Sequence, residues 1–370
     1  MVNIAFLIRS LDFGGAERQL ILLAKLLHLR GFTVTVITFY PGKQDGELDK
    51  TGINRICLYK SGRWSNFRFL WRLYTTLKKI NPNYLHGYLD IANILALIIG
   101  RMIGSCKVIW GIRASTIELS NYDWLFKLAN KIEVFLSNSP DLIIANSFKA
   151  RDQIIEQGFP EDKIIVIQNG IDTERFKWNL ENRINFRTKN NLQEENFVVG
   201  TVGRLDPQKD HRTFLEAAKI VCSKVSNSKF FIIGEGKHKI DIQKQIDLLG
   251  LSKTVFILSS TNEIEKVYSA FDVFVLTSLG ESFPNVIAEA MSCGLPVVAT
   301  DVGDTRLIVA ANGKIVEIHS ADKVADAILH IHQNSKSLPN LSGIARIKDH
   351  FSTNVMVQKF VDVVISADYR

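Results

Sequence analysis

The stretch LGESFPNVIAEAMSCGLPVVAT, residues 279–300, joins a glycine-bearing loop, a short helix and a buried strand. LPVVAT (295–300) reads as strand because Val and Thr crowd a short apolar run that follows a glycine. The run before it predicts a helix near 284–293, with Ser282 suited to the N-cap and Pro284 to the first turn. The backbone over Phe283, Pro284, Asn285 and Val286 then offers N–H groups able to hold a phosphate. Glu281 stands just outside that helix. Glu289 lies nearly two turns in, facing a cleft or solvent. Strand, loop, helix and strand in this order form the unit of a parallel sheet, and ligands of such sheets bind beyond the carboxyl ends of the strands.

The same alternation runs through the whole chain. Strand-like runs NIAFLI (3–8), FTVTVITF (32–39), RICLY (55–59), YLHGY (84–88), KVIWGI (107–112), DLIIAN (141–146) and KIIVIQNG (163–170) alternate with amphipathic segments. AERQLILLAKLLHLRG (16–31) is helical by spacing and ends at Gly31, a good C-cap. A polar stretch, WNLENRINFRTKNNLQEEN (178–196), interrupts the pattern and reads as a linker. The alternation restarts at FVVGTV (197–202) and continues to a helix near 321–333. Near-continuous apolar strands imply sheets covered on both faces. The fold class is therefore α/β, with two Rossmann-like domains facing across a cleft. We place the first at 1–170 and the second at 171–352, with a C-terminal helix over about 353–370 packing back on the first.

A length of 370 residues suits two domains of about 150–200 residues each. Hydrophobic content of 46% and charged content of 22% indicate a globular chain. The net charge is +7, and it is uneven: residues 1–175 hold 22 Lys and Arg against 16 Asp and Glu, the remainder 23 against 22. The basic excess of the first half points to an anionic partner, either a membrane surface or a phosphorylated ligand. Cys57, Cys106, Cys222 and Cys293 form neither CxxC nor zinc spacing, which fits a reducing compartment. The apolar start MVNIAFLIRS is too short for a signal peptide. IANILALIIGRMIG (91–104) is broken by Arg101 and falls short of the roughly 20 apolar residues a spanning helix needs. SGRWSNFRFLWRLYTTLKK (61–79) interleaves aromatic and basic residues. Phe67, Leu70, Trp71, Tyr74 and Leu77 predict a buried helical face, with Arg68, Arg72 and Lys79 off it. Arg63, Trp64 and that basic side could touch anionic lipid head groups. No nucleic-acid recognition module is evident.

Gly14 and Gly15 follow the first strand, where glycine lets a backbone approach a ligand and opens a helix N-terminus toward an anion. The pair is not GxGxxG, and no acidic residue ends the second strand, which argues against a dinucleotide cofactor. TVGRLDPQKDH (201–211) sets Gly203, Arg204 and Lys209 at the end of the second domain's first strand, as a clamp for a diphosphate. Glu281 and Glu289 could then take vicinal hydroxyls, at the sugar and ribose ends respectively. Both come from one short segment, which suits a glycosidase pair poorly.

These residues resemble the retaining glycosyltransferases of family 4, which have the GT-B fold. The resemblance rests on VGRL with Lys209 (202–209), GEG (234–236), the two glutamates of ESFPNVIAE (281–289), MSCGLPVVAT (291–300) and QNGID (168–172). It implies transfer of a sugar from a nucleotide-diphosphate donor to a hydroxyl acceptor with retention of configuration. It further implies that Arg204 and Lys209 bind the diphosphate, Glu281 the donor sugar and Glu289 the ribose. Gly15 would let the first loop approach the diphosphate. No cofactor and no metal are implied, because cations and a helix N-terminus supply the electrostatics. One position departs from the family: a histidine usual after the fifth strand is replaced by Arg113, which cannot act as a base. Arg113 and His86, at the end of the fourth strand, are candidate catalytic residues on the cleft side. The expected donor is a UDP-sugar, although SSTNE (259–263) stands where relatives often carry glycine. The expected acceptor is lipid-linked or an oligosaccharide of a surface polysaccharide such as lipopolysaccharide, O-antigen or capsule. The expected location is cytoplasmic, peripheral on the inner membrane face. The competing readings are an epimerase or phosphorylase of this fold, a non-catalytic nucleotide-sugar-binding subunit, and an NAD-dependent dehydrogenase.

Overall fold

A computed structural model of the chain describes residues 2–12, 14–60, 66–113, 124–334 and 339–365. It forms two compact units, Met1–Gly170 with Thr353–Arg370, and Ile171–Ser352. In the first unit β1 (Asn3–Ile8) leads to α1 (Gly15–Leu29), β2 (Thr33–Thr38), α2 (Gly46–Asp49) and β3 (Asn54–Cys57). Next come α3 (Asn66–Ile80), β4 (Tyr84–Tyr88), α4 (Asp90–Ile103), β5 (Lys107–Ile112) and α5 (Trp124–Leu136). β6 (Leu142–Ala145), α6 (Phe148–Glu156) and β7 (Ile164–Val166) follow. The second unit holds α7 (Leu180–Lys189), β8 (Phe197–Val202), α8 (His211–Lys224), β9 (Ser228–Ile233), α9 (Lys239–Leu248) and β10 (Val255–Leu258). It continues with α10 (Ile264–Tyr268), β11 (Val273–Leu276), α11 (Asn285–Ser292), β12 (Val297–Thr300) and α12 (Thr305–Val309). It ends with β13 (Gly313–Val316), α13 (Ala321–Asn334) and α14 (Leu341–Phe351). α15 (Thr353–Phe360) and a π-helical turn, Val361–Ile365, belong again to the first unit.

Both sheets are parallel and Rossmann-like. The first runs β3-β2-β1-β4-β5-β6-β7 and the second β10-β9-β8-β11-β12-β13. Their central strands are mostly apolar because each face is covered. In the first unit α1 and α15 bury Leu20, Leu27, Val357 and Phe360 on one face. α3, α4 and α6 bury Leu73, Leu77, Ala96 and Ile154 on the other. In the second unit α8, α9 and α13 cover one face and α10, α11, α12 and α14 the other. The order reverses between β1 and β4 and between β8 and β11. At each reversal the following helices go to opposite faces and leave a crevice at the strand ends.

Two sequence expectations are corrected. The polar stretch 178–196 is no linker, because it contains α7, capped by Asn179 accepting from the Asn182 N–H. Its arginines are tied down. Arg183 and Arg187 donate to the two oxygens of Asp272 at 2.6 and 2.8 Å, and the Val198 N–H donates to the same carboxylate at 2.7 Å. The stretch resembles a linker because its polarity serves this cluster. The predicted buried face of α3 is also displaced. Phe69, Leu73 and Leu77 are buried, whereas Phe67 and Trp71 are exposed beside Arg68 and Arg72. Arg63 and Trp64 lie outside the described residues.

The end of β5 is braced from α4 and α5. Asn93 accepts from the Gly111 N–H at 3.1 Å and donates to the Gly111 carbonyl at 3.3 Å. The same side-chain amide donates to Glu133 Oε1 at 2.7 Å. Burial pushes the Glu133 carboxyl up to about 7, nearby Asp90 pushes the same way, and the Asn93 bond opposes them.

Two outcomes are expected. Asp272→Ala leaves Arg183 and the buried Arg187 without their carboxylate, and should lower unfolding free energy by about 3 kcal/mol in urea titration. For Glu133, the folded chain keeps a proton that the unfolded chain loses above about 4.5, so stability should fall as pH rises from about 4.5 to about 7. The full effect is on the order of 3 kcal/mol. Glu133→Gln keeps the acceptor for Asn93 and should flatten that slope in thermal unfolding followed across this range.

Candidate active site

The crevice of the second unit is lined by the loops that follow β8 and β11. Lys209, at the end of a 3-10 turn over Pro207–Lys209, donates through Nζ to Glu281 Oε1. The side chains are 15% and 14% exposed, so this is no screened surface pair. Ser278 Oγ donates to the same carboxylate oxygen at 2.8 Å. The loops are also joined through backbone: the Leu279 N–H donates to the Gln208 carbonyl at 2.8 Å and Gln208 Nε2 to the Gly280 carbonyl at 2.6 Å. Thr277 Oγ1 donates to the Lys209 and Asp210 carbonyls.

Glycines let these loops approach. A Cβ at Gly203 would stand 3.2 Å from Lys209 Cε. One at Gly234 would stand 1.9 Å from the Gly203 carbonyl, and one at Gly236 2.2 Å from the Leu205 carbonyl. The GEG run therefore packs directly beneath the loop that carries Arg204 and Lys209. Arg204 Nη2 lies 3.2 Å from Asp206, and its side chain is 75% exposed. It is open to a ligand, while Lys209 is held.

Helix α11 starts one residue later than expected. Pro284, not Ser282, is the N-cap, and as a proline it makes no side-chain cap hydrogen bond. Ser282 is instead locked through its carbonyl, which accepts from the Asp304 N–H at 3.0 Å. Gly303, at φ +56°, has no room for a Cβ against the Ser282 carbonyl. Phe283 is a core side chain beside Phe351, so only its backbone can serve the loop. Asn285 and Val286 form the first turn, whose N–H groups lack intrahelical acceptors. Glu289 does not face solvent: it is buried, and the Tyr268 hydroxyl donates to its Oε2 at 2.9 Å. Sequence reasoning misses Tyr268 because it lies 21 residues upstream, on α10.

In the first unit Gly14 is the extended N-cap of α1 and Gly15 its first residue. Glu17 folds back over that end, since a Cβ at Gly14 would stand 2.0 Å from Glu17 Oε2. Burial, against its own backbone hydrogen bond, raises the Glu17 carboxyl above the usual range.

Arg113 directly follows β5 and is clamped. It donates to Asn169 Oδ1 and to the Tyr88 hydroxyl, both at 2.8 Å, and its guanidinium carbon lies 4.4 Å from the Tyr88 ring centroid. Asn169 comes from QNGID, whose Gly170 backbone is pinned in both directions by the Gln19 amide at 2.9 and 3.0 Å. Tyr88 and Asn169 are thus partners that sequence reasoning does not find.

His86 is corrected. It is the third of five residues in β4, paired with Phe6 and Ile109, and fully buried against Tyr88 and Phe360. Strand alternation turns it into the core instead of toward the strand end. Burial, with the Arg113 charge adding to it, drives its pKa well below the usual value, so the ring is neutral. Leu89, between β4 and α4, has φ +71°, a strained backbone for a branched residue at the first unit's crevice.

The second crevice can bind an anion through Arg204, Lys209 and the α11 N-terminus, and hydroxyls through its carboxylates. Among the described residues no cluster of three or more His, Cys, Asp and Glu side chains is placed to share a metal ion.

Two family profiles match this chain. Residues 182–347 match the profile described as glycosyl transferases group 1, and residues 13–175 the one described as Glycosyltransferase Family 4. Over 280 residues the chain is 30% identical to the capsular polysaccharide biosynthesis glycosyltransferase CapM of Staphylococcus aureus, covering 72% of this chain and 71% of that one. It is 28% identical over 313 residues to the UDP-Gal:alpha-D-GlcNAc-diphosphoundecaprenol alpha-1,3-galactosyltransferase of Escherichia coli, covering 81% and 79%. The crystal structure of Anabaena Alr3699/HepE in complex with UDP and glucose superposes with a TM-score of 0.87 at 22% identity, covering 99% and 100%.

Proposed function

The chain belongs to the family 4 glycosyltransferases, the glycosyl transferases of group 1, and from that premise we propose that it moves a hexosyl or N-acetylhexosaminyl group from a UDP-sugar to a hydroxyl of a lipid-linked or surface-polysaccharide acceptor. The observation that carries this reading is the Lys209–Glu281 pair over the strand reversal of the second unit. The E. coli relative supports the choice of substrates, since its name gives a UDP-sugar donor and a lipid diphosphate acceptor.

In this reading the diphosphate lies against Arg204, Lys209 and the first turn of α11. Lys209 then gains a second anion, and Glu281 is released toward the hydroxyls of the donor sugar. Glu289, fixed by Tyr268, takes the ribose. As the bond from the sugar's anomeric carbon to the phosphate oxygen breaks, negative charge grows on the leaving phosphate, where the two cations stabilise it. The acceptor hydroxyl attacks from the same face, and its proton passes to the departing phosphate oxygen, which gives retention. The electrostatic work falls to side chains and backbone, so we expect transfer without a metal ion. The clamped Arg113 replaces the family histidine as a fixed positive charge for a phosphorylated acceptor. We assign the reaction to the cytoplasmic face of a membrane.

Transfer from radiolabelled UDP-sugar and binding of UDP should separate under mutation. Glu281→Ala should lower kcat by about 100-fold or more. It should leave UDP affinity unchanged or tighter, because Lys209 loses its internal competitor. Lys209→Ala should weaken UDP binding by about tenfold, near 1.4 kcal/mol. Equal loss of transfer and UDP binding in Glu281→Ala would contradict the assignment of Glu281 to the sugar.

A further inference from the structure

The first unit presents a face that donor chemistry does not use. α3, α4 and α5 pack side by side on one face of the first sheet. Each buries an inward stripe, so their opposite stripes point outward together. Those outward stripes are apolar. Phe67 and Trp71 on α3 are 86% and 60% exposed, Ile98 and Met102 on α4 47% and 62%, and Ile132 and Phe135 on α5 39% and 83%. Ile91 and Leu128 extend the stripes of α4 and α5. Eight large exposed hydrophobics thus lie on three neighbouring helices, a concentration beyond the single scattered residues normal for a protein exterior.

The charges on the same face have one sign. Arg68, Arg72, Lys78, Lys79 and Lys131 are exposed. The two carboxylic residues of these helices turn inward: Glu133 is buried and Asp90 half-buried. Asp141, before β6, neutralises Arg101 at 3.2 Å. No described helix is long and apolar enough to cross a membrane.

We propose that the outer face of α3, α4 and α5 docks the protein onto an anionic lipid surface. Trp and Phe enter the boundary between head groups and acyl chains, while Lys and Arg reach the lipid phosphates with their stems along the apolar surface. Charge selects this occupant over a second copy of the chain. A symmetric contact through this face would set its cations against their own equivalents. The inference stands on the first unit alone and does not depend on the donor reading.

The test is flotation of the full chain with vesicles of equimolar phosphatidylglycerol and phosphatidylcholine, and with vesicles of phosphatidylcholine alone. UDP binding is measured on every sample. The native chain should float with the anionic vesicles, lose that binding at high salt and stay behind with the neutral ones. Trp71→Ser with Phe135→Ser, and separately Arg68→Glu with Arg72→Glu, should each lower partitioning by about tenfold. Both variants lie on the surface and should keep native thermal unfolding and UDP affinity. Native protein that stays unbound with anionic vesicles, or variants that float as well as it does, would overturn the proposal. So would native protein that sediments as a dimer while the variants sediment as monomers, which would give the face to a second copy.

Discussion

A lysine and a glutamate held together over the strand reversal of the second sheet organise the second unit. Lys209 and Glu281 come from the two loops that diverge there, and both are largely withdrawn from water. Desolvating such a pair costs about as much as its attraction returns, so stability alone does not account for it. In the proposed reading the pair presets the site, because a diphosphate joining Lys209 would free Glu281 for the donor sugar. The surrounding glycines follow from the same constraint. Gly203, Gly234, Gly236 and Gly303 stand where chains cross too closely for a Cβ or where a lysine stem must fit.

The first unit has the same topology and a different chemistry at its strand ends. Arg113 is held by Tyr88 and Asn169, and the strand that delivers it is braced by Asn93 and Glu133. Its permanent charge also helps keep His86 neutral in the core. The first unit thus offers a fixed cation at its crevice and a basic, apolar outer face on α3–α5. The second offers a near-neutral body with Arg204 and Lys209 at its crevice.

Much of this is legible in the amino-acid sequence. Continuous apolar strands at regular spacing specify the two parallel sheets, and the positions of Arg204, Lys209 and Glu281 at strand ends follow from the alternation. What sequence does not supply is the pairing of distant residues. Tyr268 with Glu289, Asn169 with Arg113, and Asp272 with two arginines of α7 are separated by 21 to 89 residues. Phase accounts for the other differences. α3 turns its Phe69–Leu73–Leu77 stripe inward, so Phe67 and Trp71 go to the surface. β4 places His86 on an inward position in mid-strand, whereas the YLHGY run alone suggests the strand end. Ser282 looks like a cap by residue type, but Pro284 occupies that position and the Ser282 carbonyl is committed to Asp304.

The central claim is that the crevice between the β8 and β11 loops is a metal-independent site for a nucleoside diphosphate. Calorimetric titration of the purified chain with UDP, GDP, ADP and NAD in turn, each with EDTA present, tests it most directly. The account predicts saturable binding of UDP with the chelator present and weaker binding of the other three. Binding of none of them, or UDP binding that appears only when a divalent metal is restored, would contradict it.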